Sequence, residues 1–240
     1  MKNLKSYLGL CIGLALLSGC GRNNQPQAAP TAAPAAPAAP ATPAAPATPV
    51  VPPMPAAQPA AAVAPVPEKE VALISTSEGD MVIEFWTDAA PKTIENFKNL
   101  ARSNFYNGTA FHRVIKGFMI QGGDPNTKDL NNTASYGFGG PGYAINDEKN
   151  DHKHERGVIA MANSGPNSAG SQFYICLAPQ PGLDALNFTT FGKLIKGDDV
   201  LGKIGDTPCT QDPRAPPPPS VPVKRMGIVS IKIVPASSVK

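Results

Sequence analysis

Between Pro26 and Pro67, fourteen prolines and eighteen alanines fill 32 of 42 positions, with no charge and no aromatic side chain. A segment so poor in large apolar groups cannot bury enough surface to offset the entropy lost on ordering. Its recurring Ala-Ala-Pro favours extended polyproline II, and at ~3.1 Å per residue the stretch would reach roughly 130 Å. It reads as a semi-rigid spacer, so whatever folds must follow it. From Glu68 to Lys240 there remain 173 residues. That suits one domain with a sizeable core and leaves little room for two.

Ahead of the spacer, Lys2 and Lys5 precede an apolar run from Leu8 to Leu17 that is too short to span a membrane comfortably. Leu17-Ser18-Gly19-Cys20 follows and resembles the bacterial lipobox, where signal peptidase cuts before the Cys and the thiol is lipidated. The resemblance implies a signal peptide over residues 1–19 and a lipidated Cys20 heading a tether over 20–67. A domain then follows over 68–240. It also implies a protein of the bacterial cell envelope, lipid-anchored and facing the periplasm. Gly21, where Asp would favour the inner membrane, points by analogy to the outer one. An ordinary secretory signal that happens to contain a Cys is the alternative.

Removing the signal leaves Cys176 and Cys209 as the domain's cysteines. An oxidising compartment permits a disulfide, but sequence does not give their separation. Cys176 sits in an apolar run and suits a buried free thiol. Two isolated cysteines make no zinc site, and no metal or cofactor is expected. His152 and His154, among Asp151, Lys153, Glu155 and Arg156, read as a solvated charged loop. The formal net charge of +3 comes from Lys2, Lys5 and Arg22, so residues 68–240 are neutral, with 18 basic and 18 acidic side chains. That balance excludes the basic footprint that nucleic-acid binding requires.

Past residue 70 the pattern turns to short strands: 71–74, 81–86, 111–115, 118–121, 157–162, 171–177, 190–195 and 227–234. Eight of them in one domain suggest a closed barrel or sandwich. Pro91 suits a first helical turn, and Ile94, Phe97, Leu100 and Ala101 follow with helical spacing. A shorter helix is expected over 198–204, its acidic start complementing the helix dipole. The long Gly-, Asn- and Asp-rich segment between Gly122 and Arg156 contains Gly137-Phe138-Gly139-Gly140-Pro141-Gly142. Loops of that length are usually functional or disordered.

Two segments stand out together. Phe111-His112-Arg113-Val114-Ile115-Lys116-Gly117-Phe118-Met119-Ile120-Gln121-Gly122-Gly123-Asp124 sets an Arg and a Gln among aromatic and sulfur side chains. The second runs Met161-Ala162-Asn163-Ser164-Gly165-Pro166-Asn167-Ser168-Ala169-Gly170-Ser171-Gln172-Phe173-Tyr174-Ile175. They closely resemble the two signature segments of cyclophilins, the cyclosporin-binding peptidyl-prolyl cis/trans isomerases, and lesser matches extend the likeness over 70–235. The resemblance implies a mostly β fold, an eight-stranded antiparallel closed barrel capped by two α-helices, with its site on the outer face. It implies a prolyl pocket of Phe118, Met119, Tyr174 and Leu183, with Phe188 beside them. Arg113 would be the catalytic cation. Gln121 would orient it, and Ala162 and Asn163 would contact the residues before proline. The implied partners are proline-containing polypeptides, and a monomer is the default state.

These residue types suit the reaction. Resonance gives the Xaa–Pro bond a rotational barrier near ~20 kcal/mol, and no bond breaks, so catalysis needs only tighter binding of the twisted amide. An Arg donor aimed at the prolyl nitrogen would stabilise that state alone. A membrane-tethered module that binds Xaa-Pro segments without turnover, or a chaperone, is the competing class. The chain departs from the best-known members in three places. Gly182 stands where they carry a Trp beside the pocket, which implies weak cyclosporin binding. Tyr174 replaces Phe, and the segment 185–190 is one residue longer.

Overall fold

A computed structural model describes residues 68–239, Asn187 excepted. The signal segment, Cys20 and the Ala/Pro spacer lie outside the described residues.

The expected strands form with adjusted edges. β1 (Glu70–Thr76) and β2 (Gly79–Phe85) make a hairpin, and α1 (Pro91–Arg102) follows. Then come β3 (Ala110–Phe111), β4 (Arg113–Ile115) and β5 (Met119–Gly122). The second half holds β6 (Val158–Met161), β7 (Phe173–Cys176), β8 (Thr190–Lys196) and α2 (Asp198–Gly205). A small β9–β10 hairpin (Cys209–Thr210 and Val221–Pro222) precedes the long closing strand β11 (Met226–Pro235).

The main sheet runs β3-β11-β1-β2-β8-β6-β7-β5-β4, and every pairing is antiparallel. Its two ends are consecutive in the chain. Residues 110–115, expected as one strand, change partner at His112: Ala110 and Phe111 pair with β11, whereas Arg113–Ile115 pair with β5. His112 N already donates to Gln121 O at 3.0 Å. One strand divided between two neighbours thus closes the barrel, which counts nine segments where the sequence gives eight. The β9–β10 hairpin has no strand signal of its own, because two-residue strands in a Pro-rich stretch show no periodicity.

Inside the barrel, Phe97 of α1 meets Tyr106, Phe173 and Phe191 at ring-centroid distances of 5.2, 5.6 and 5.3 Å. All four are buried and belong to one apolar cluster with Ile74, Ile83, Ile120, Ile159 and Leu201. Full burial of each such side chain contributes ~1.5–3 kcal/mol. α1 turns this face inward through the spacing of Ile94, Phe97, Leu100 and Ala101.

The start of α1 lacks a capping side chain of its own, with Ala90 at the N-cap and Pro91 beginning the helix. Glu148 supplies the cap from the long loop, accepting from Lys92 N (3.1 Å) and Thr93 N (2.7 Å). Tyr143 Oη donates to Asn96 Oδ1 (2.7 Å), and Asn96 Nδ2 donates to Gly170 O (2.9 Å). These bonds tie the segment between β5 and β6 to the helix, so it is a built wall.

Replacing Glu148 with Ala removes two acceptors and an anion at a positive helix end. The expected loss is about 1–2 kcal/mol, read as a lower urea midpoint at unchanged slope. An unchanged midpoint would show that the loop does not cap α1.

Candidate active site

Side chains alternate faces along a strand, and three neighbouring strands use both faces. In β5, β6 and β7, Ile120, Ile159, Met161, Phe173 and Ile175 enter the barrel core. Their neighbours Met119, Ala160, Tyr174 and Cys176 form a second buried cluster, with Ile115, Phe118, Ala162, Leu183 and Phe188 packed partly buried against it. Tyr174 and Phe173 therefore point opposite ways, Phe173 inward.

This second face opens into a cavity of about 130 Å³ whose lining is Arg113, Phe118, Met119, Gln121, Ala162, Asn163, Tyr174, Leu183 and Phe188. All nine residues singled out in the domain are thus brought together. Phe118 and Met119 are delivered by a tight turn between β4 and β5, where Phe118 N donates to Ile115 O at 2.9 Å. Gly117 at φ +72° takes the left-handed position in that turn. Leu183 and Phe188 come from the connection into β8. Phe188 stands edge-on to Tyr174 with centroids 5.7 Å apart. At Gly182 an added Cβ would meet no heavy atom within 4 Å, so the side where the resemblance implies a Trp is open.

Arg113 and Gln121 are cross-strand partners in β4 and β5. Arg113 Nη1 donates to Gln121 Oε1 at 3.3 Å, and Gln121 Nε2 donates to Gln172 Oε1 at 3.0 Å. Gln172 Nε2 then donates to the carbonyls of Gly137 and Gly139, each at 2.9 Å. Asp124, fully buried, accepts from Gly137 N (2.5 Å) and Gly139 N (3.3 Å) on the other side of that loop. Burial lowers the Arg113 pKa and the Asp212 carboxylate opposes the shift; the guanidinium remains a cation at neutral pH. Gln172 and Asp124 stand in the two signature segments, but their role in holding the 137–139 loop depends on tertiary contacts that the sequence does not show.

A larger cavity of about 340 Å³ adjoins this one and shares Gln121, Ala162 and Asn163 with it. Its wall includes Phe138, which is 79% exposed. Beneath the small pocket the structure corrects one expectation. His152 stacks on Trp86 with ring centroids 3.7 Å apart, but His154 is not solvated. It is 3% exposed, pairs through Nδ1 with Asp184 Oδ1 at 2.9 Å, and lies parallel to Tyr174. A histidine directed inward cannot be told from an exposed one among charged neighbours.

The chemistry available is non-covalent. Burial pushes the Cys176 thiol up to about 12, and Cys176 and Cys209 are both free. A protonated buried thiol is no nucleophile. Burial also holds the Tyr174 hydroxyl well above its usual range, so it stays neutral. Among the described residues no three His, Cys, Asp or Glu side chains gather as a metal site. What remains is an apolar slot of small-ring size with a fixed cation at its rim.

Barrel and pocket together define a protein with an apolar slot of small-ring size on the outer barrel face and a hydrogen-bond donor beside it. The comparisons give that class its family. The family model for cyclophilin-type peptidyl-prolyl cis-trans isomerases matches residues 71–231. A peptidyl-prolyl cis-trans isomerase of Arabidopsis thaliana is 49% identical over 130 residues, covering 53% of this chain and 78% of that protein. One from Synechococcus elongatus is 46% identical over 122 residues, covering 51% of this chain and 78% of that protein. A solved Cryptosporidium parvum cyclophilin, crystallised in the presence of the dipeptide Ala-Pro, superposes with a TM-score of 0.59 at 34% identity, covering 68% of this chain and 98% of that one. The chain belongs to the cyclophilin-type peptidyl-prolyl cis-trans isomerase family, and its activity is cis/trans isomerisation of Xaa-Pro bonds.

The Tyr174 hydroxyl is buried and has no hydrogen-bond partner among the described residues. Tyr174→Phe should therefore raise stability by about 1 kcal/mol, because it removes an unsatisfied polar group. Urea unfolding measures this, and a destabilised variant would show that the hydroxyl is satisfied in solution.

Proposed function

We propose that this isomerase works on proline-containing polypeptides in the bacterial cell envelope, with Arg113 as its catalytic cation and Cys20 as its lipid anchor. The observation that carries the catalytic part is the pocket. A half-buried guanidinium stands over an apolar slot with no activated nucleophile. The substrate ring sits on Phe118, Met119, Tyr174 and Leu183, with Phe188 at the edge. Gln121 holds Arg113 and meets the substrate backbone, and Ala162 and Asn163 line the path of the residues before proline. The Ala-Pro dipeptide used with the Cryptosporidium relative supports a proline-sized slot.

The twisted amide differs from both planar forms in one respect that Arg113 can sense. Resonance is lost, and the prolyl nitrogen regains a lone pair. A donor aimed at that nitrogen binds the transition state and not the ground states, which is the requirement for raising turnover. Lowering the barrier by ~7 kcal/mol corresponds to ~10⁵-fold. Apolar walls keep water from competing for the same hydrogen bond.

The envelope part rests on Leu17-Ser18-Gly19-Cys20 after a short apolar run and before the Ala/Pro spacer. In this reading the lipid is fixed at the membrane, the outer one by analogy, and the spacer holds the domain in the periplasm.

Arg113→Ala should cut turnover at least tenfold while a proline-containing peptide binds within severalfold of the parent. Exchange NMR on one peptide gives affinity and interconversion rate in the same sample. A variant that keeps the parent's rate would leave a non-catalytic Xaa-Pro binding module as the reading of this site.

Cys20→Ser should leave the protein unprocessed or without its lipid, read by mobility and membrane fractionation. Unchanged mobility and fractionation would remove the anchor.

A further inference from the structure

Leu183 and Phe188 line the small pocket from the connection between β7 and β8. That connection is built of turns. Leu183 N donates to Gln180 O at 2.9 Å, and Leu186 N donates to Leu183 O at 2.9 Å. Such local bonds shape a loop without fixing where it lies against the sheet, so the pocket wall needs an anchor outside the connection.

The anchor is His154, which stands just ahead of β6. Its backbone O accepts from Gln180 N at 2.8 Å. Its backbone N and its ring Nδ1 both meet Asp184 Oδ1, each at 2.9 Å. An ionised carboxylate only accepts, so Nδ1 carries the ring proton. Two donors of one residue on one oxygen fix both the place and the direction of Asp184, the residue directly after Leu183. Two residues past His154, Arg156 Nη1 donates to Leu177 O at 2.6 Å, which fastens the start of the same connection. The imidazole also faces the pocket residues themselves. It lies parallel to Tyr174 with centroids 6.1 Å apart and edge-on to Phe188 at 6.5 Å. Its side chain is 3% exposed and that of Asp184 20%. Neither lines the pocket, so neither touches a substrate ring held there.

We propose that His154 and Asp184 are positioning residues of the prolyl pocket: their paired hydrogen bonds hold the β7–β8 connection against the sheet, so that Leu183 and Phe188 stay at the wall of the slot. This rests on the reading of the small cavity as the prolyl pocket. The wall meets the proline ring in the planar and the twisted amide alike, whereas Arg113 acts on the twisted state. Holding the wall therefore serves binding of all forms, and its loss falls on KM and not on kcat.

The test compares Asp184→Ala, His154→Phe and Asp184→Asn in the full chain, with a proline-containing peptide as substrate. Asp184→Ala removes both bonds. His154→Phe removes the ring donor and keeps a ring beside Tyr174. Each should raise KM about fivefold with kcat within about twofold of the parent. Asp184→Asn keeps an oxygen acceptor and should stay within about twofold of the parent in both constants. A parent-like KM in Asp184→Ala or in His154→Phe overturns the proposal and leaves the pair as a structural bond. A fall in kcat at unchanged KM, or an Asp184→Asn variant as weak as Asp184→Ala, overturns it as well. Should one of the first two variants fail to fold, the other decides. Leu183→Ala is the control for the pocket. Should it keep the parent KM, the prolyl-pocket reading has failed, and this proposal with it. Should it raise KM while Asp184→Ala and His154→Phe do not, the positioning role alone has failed.

Discussion

The site exists because β5, β6 and β7 are apolar on both faces. An antiparallel sheet ordinarily buries one face and wets the other. Here the outward set of Met119, Ala160, Tyr174 and Cys176 is buried as well, under a cover that Phe118, Leu183 and Phe188 only partly complete. The uncovered remainder is the pocket. Ala162, which lines it, leaves room that a larger side chain there would take. The inward set is held by the Phe97-centred aromatic cluster. The register that places Met119 opposite Cys176 and Gln121 opposite Tyr174 is thereby fixed from inside the barrel. A one-residue slip would exchange the two faces and lose core and pocket together.

Polar order is imposed on this apolar face by a chain of side-chain amides. Arg113 leans on Gln121, Gln121 on Gln172, and Gln172 on the carbonyls of Gly137 and Gly139, whose N–H groups are taken by buried Asp124. Apart from the exposed bond from Gln172 to Gly137 O, the links are part-buried, so breaking one strands a donor or acceptor at a cost of ~1–3 kcal/mol. The glycines are required where the loop comes closest. A Cβ at Gly139 would sit 2.0 Å from Asp124 Oδ1. The long segment between β5 and β6 is thus fixed at one end by this network and at the other by Glu148 and Tyr143 on α1.

Much of this was legible in the residues. Short apolar runs announced β5 and β7, the Pro91 start and helical spacing announced α1, and the family resemblance placed nine side chains, seven of them in the two signature segments, that the structure gathers on one cavity. What periodicity could not show were the features that depend on tertiary pairing. The strand 111–115 divides at His112 because barrel closure needs a segment shared by two neighbours, and no local property of His112 says so. His154 is buried because Asp184, thirty residues on, and the Tyr174 ring lie against it. Glu148 caps a helix that begins more than fifty residues earlier. The β9–β10 hairpin is joined to β4 by the backbone bond from Val114 N to Ser220 O and reaches the core only through Cys209, so its Pro-rich sequence reads as loop.

The inertness of the groups around the pocket follows from the same burial that makes it. Cys176 lies beneath the slot with its thiol pushed up to about 12, and the Tyr174 hydroxyl is held neutral. A hydrolase would need such groups activated by a neighbouring base or cation. Bond rotation needs the reverse: a surface that does not react with the amide, excludes water, and offers one donor where a lone pair appears. Desolvation serves each of these requirements. It silences the thiol and the phenol while strengthening a guanidinium hydrogen bond within the pocket. Desolvation alone would also favour Arg113 swinging out to water. The half-buried cation therefore depends on its polar neighbour, Gln121, to remain at the rim of the pocket.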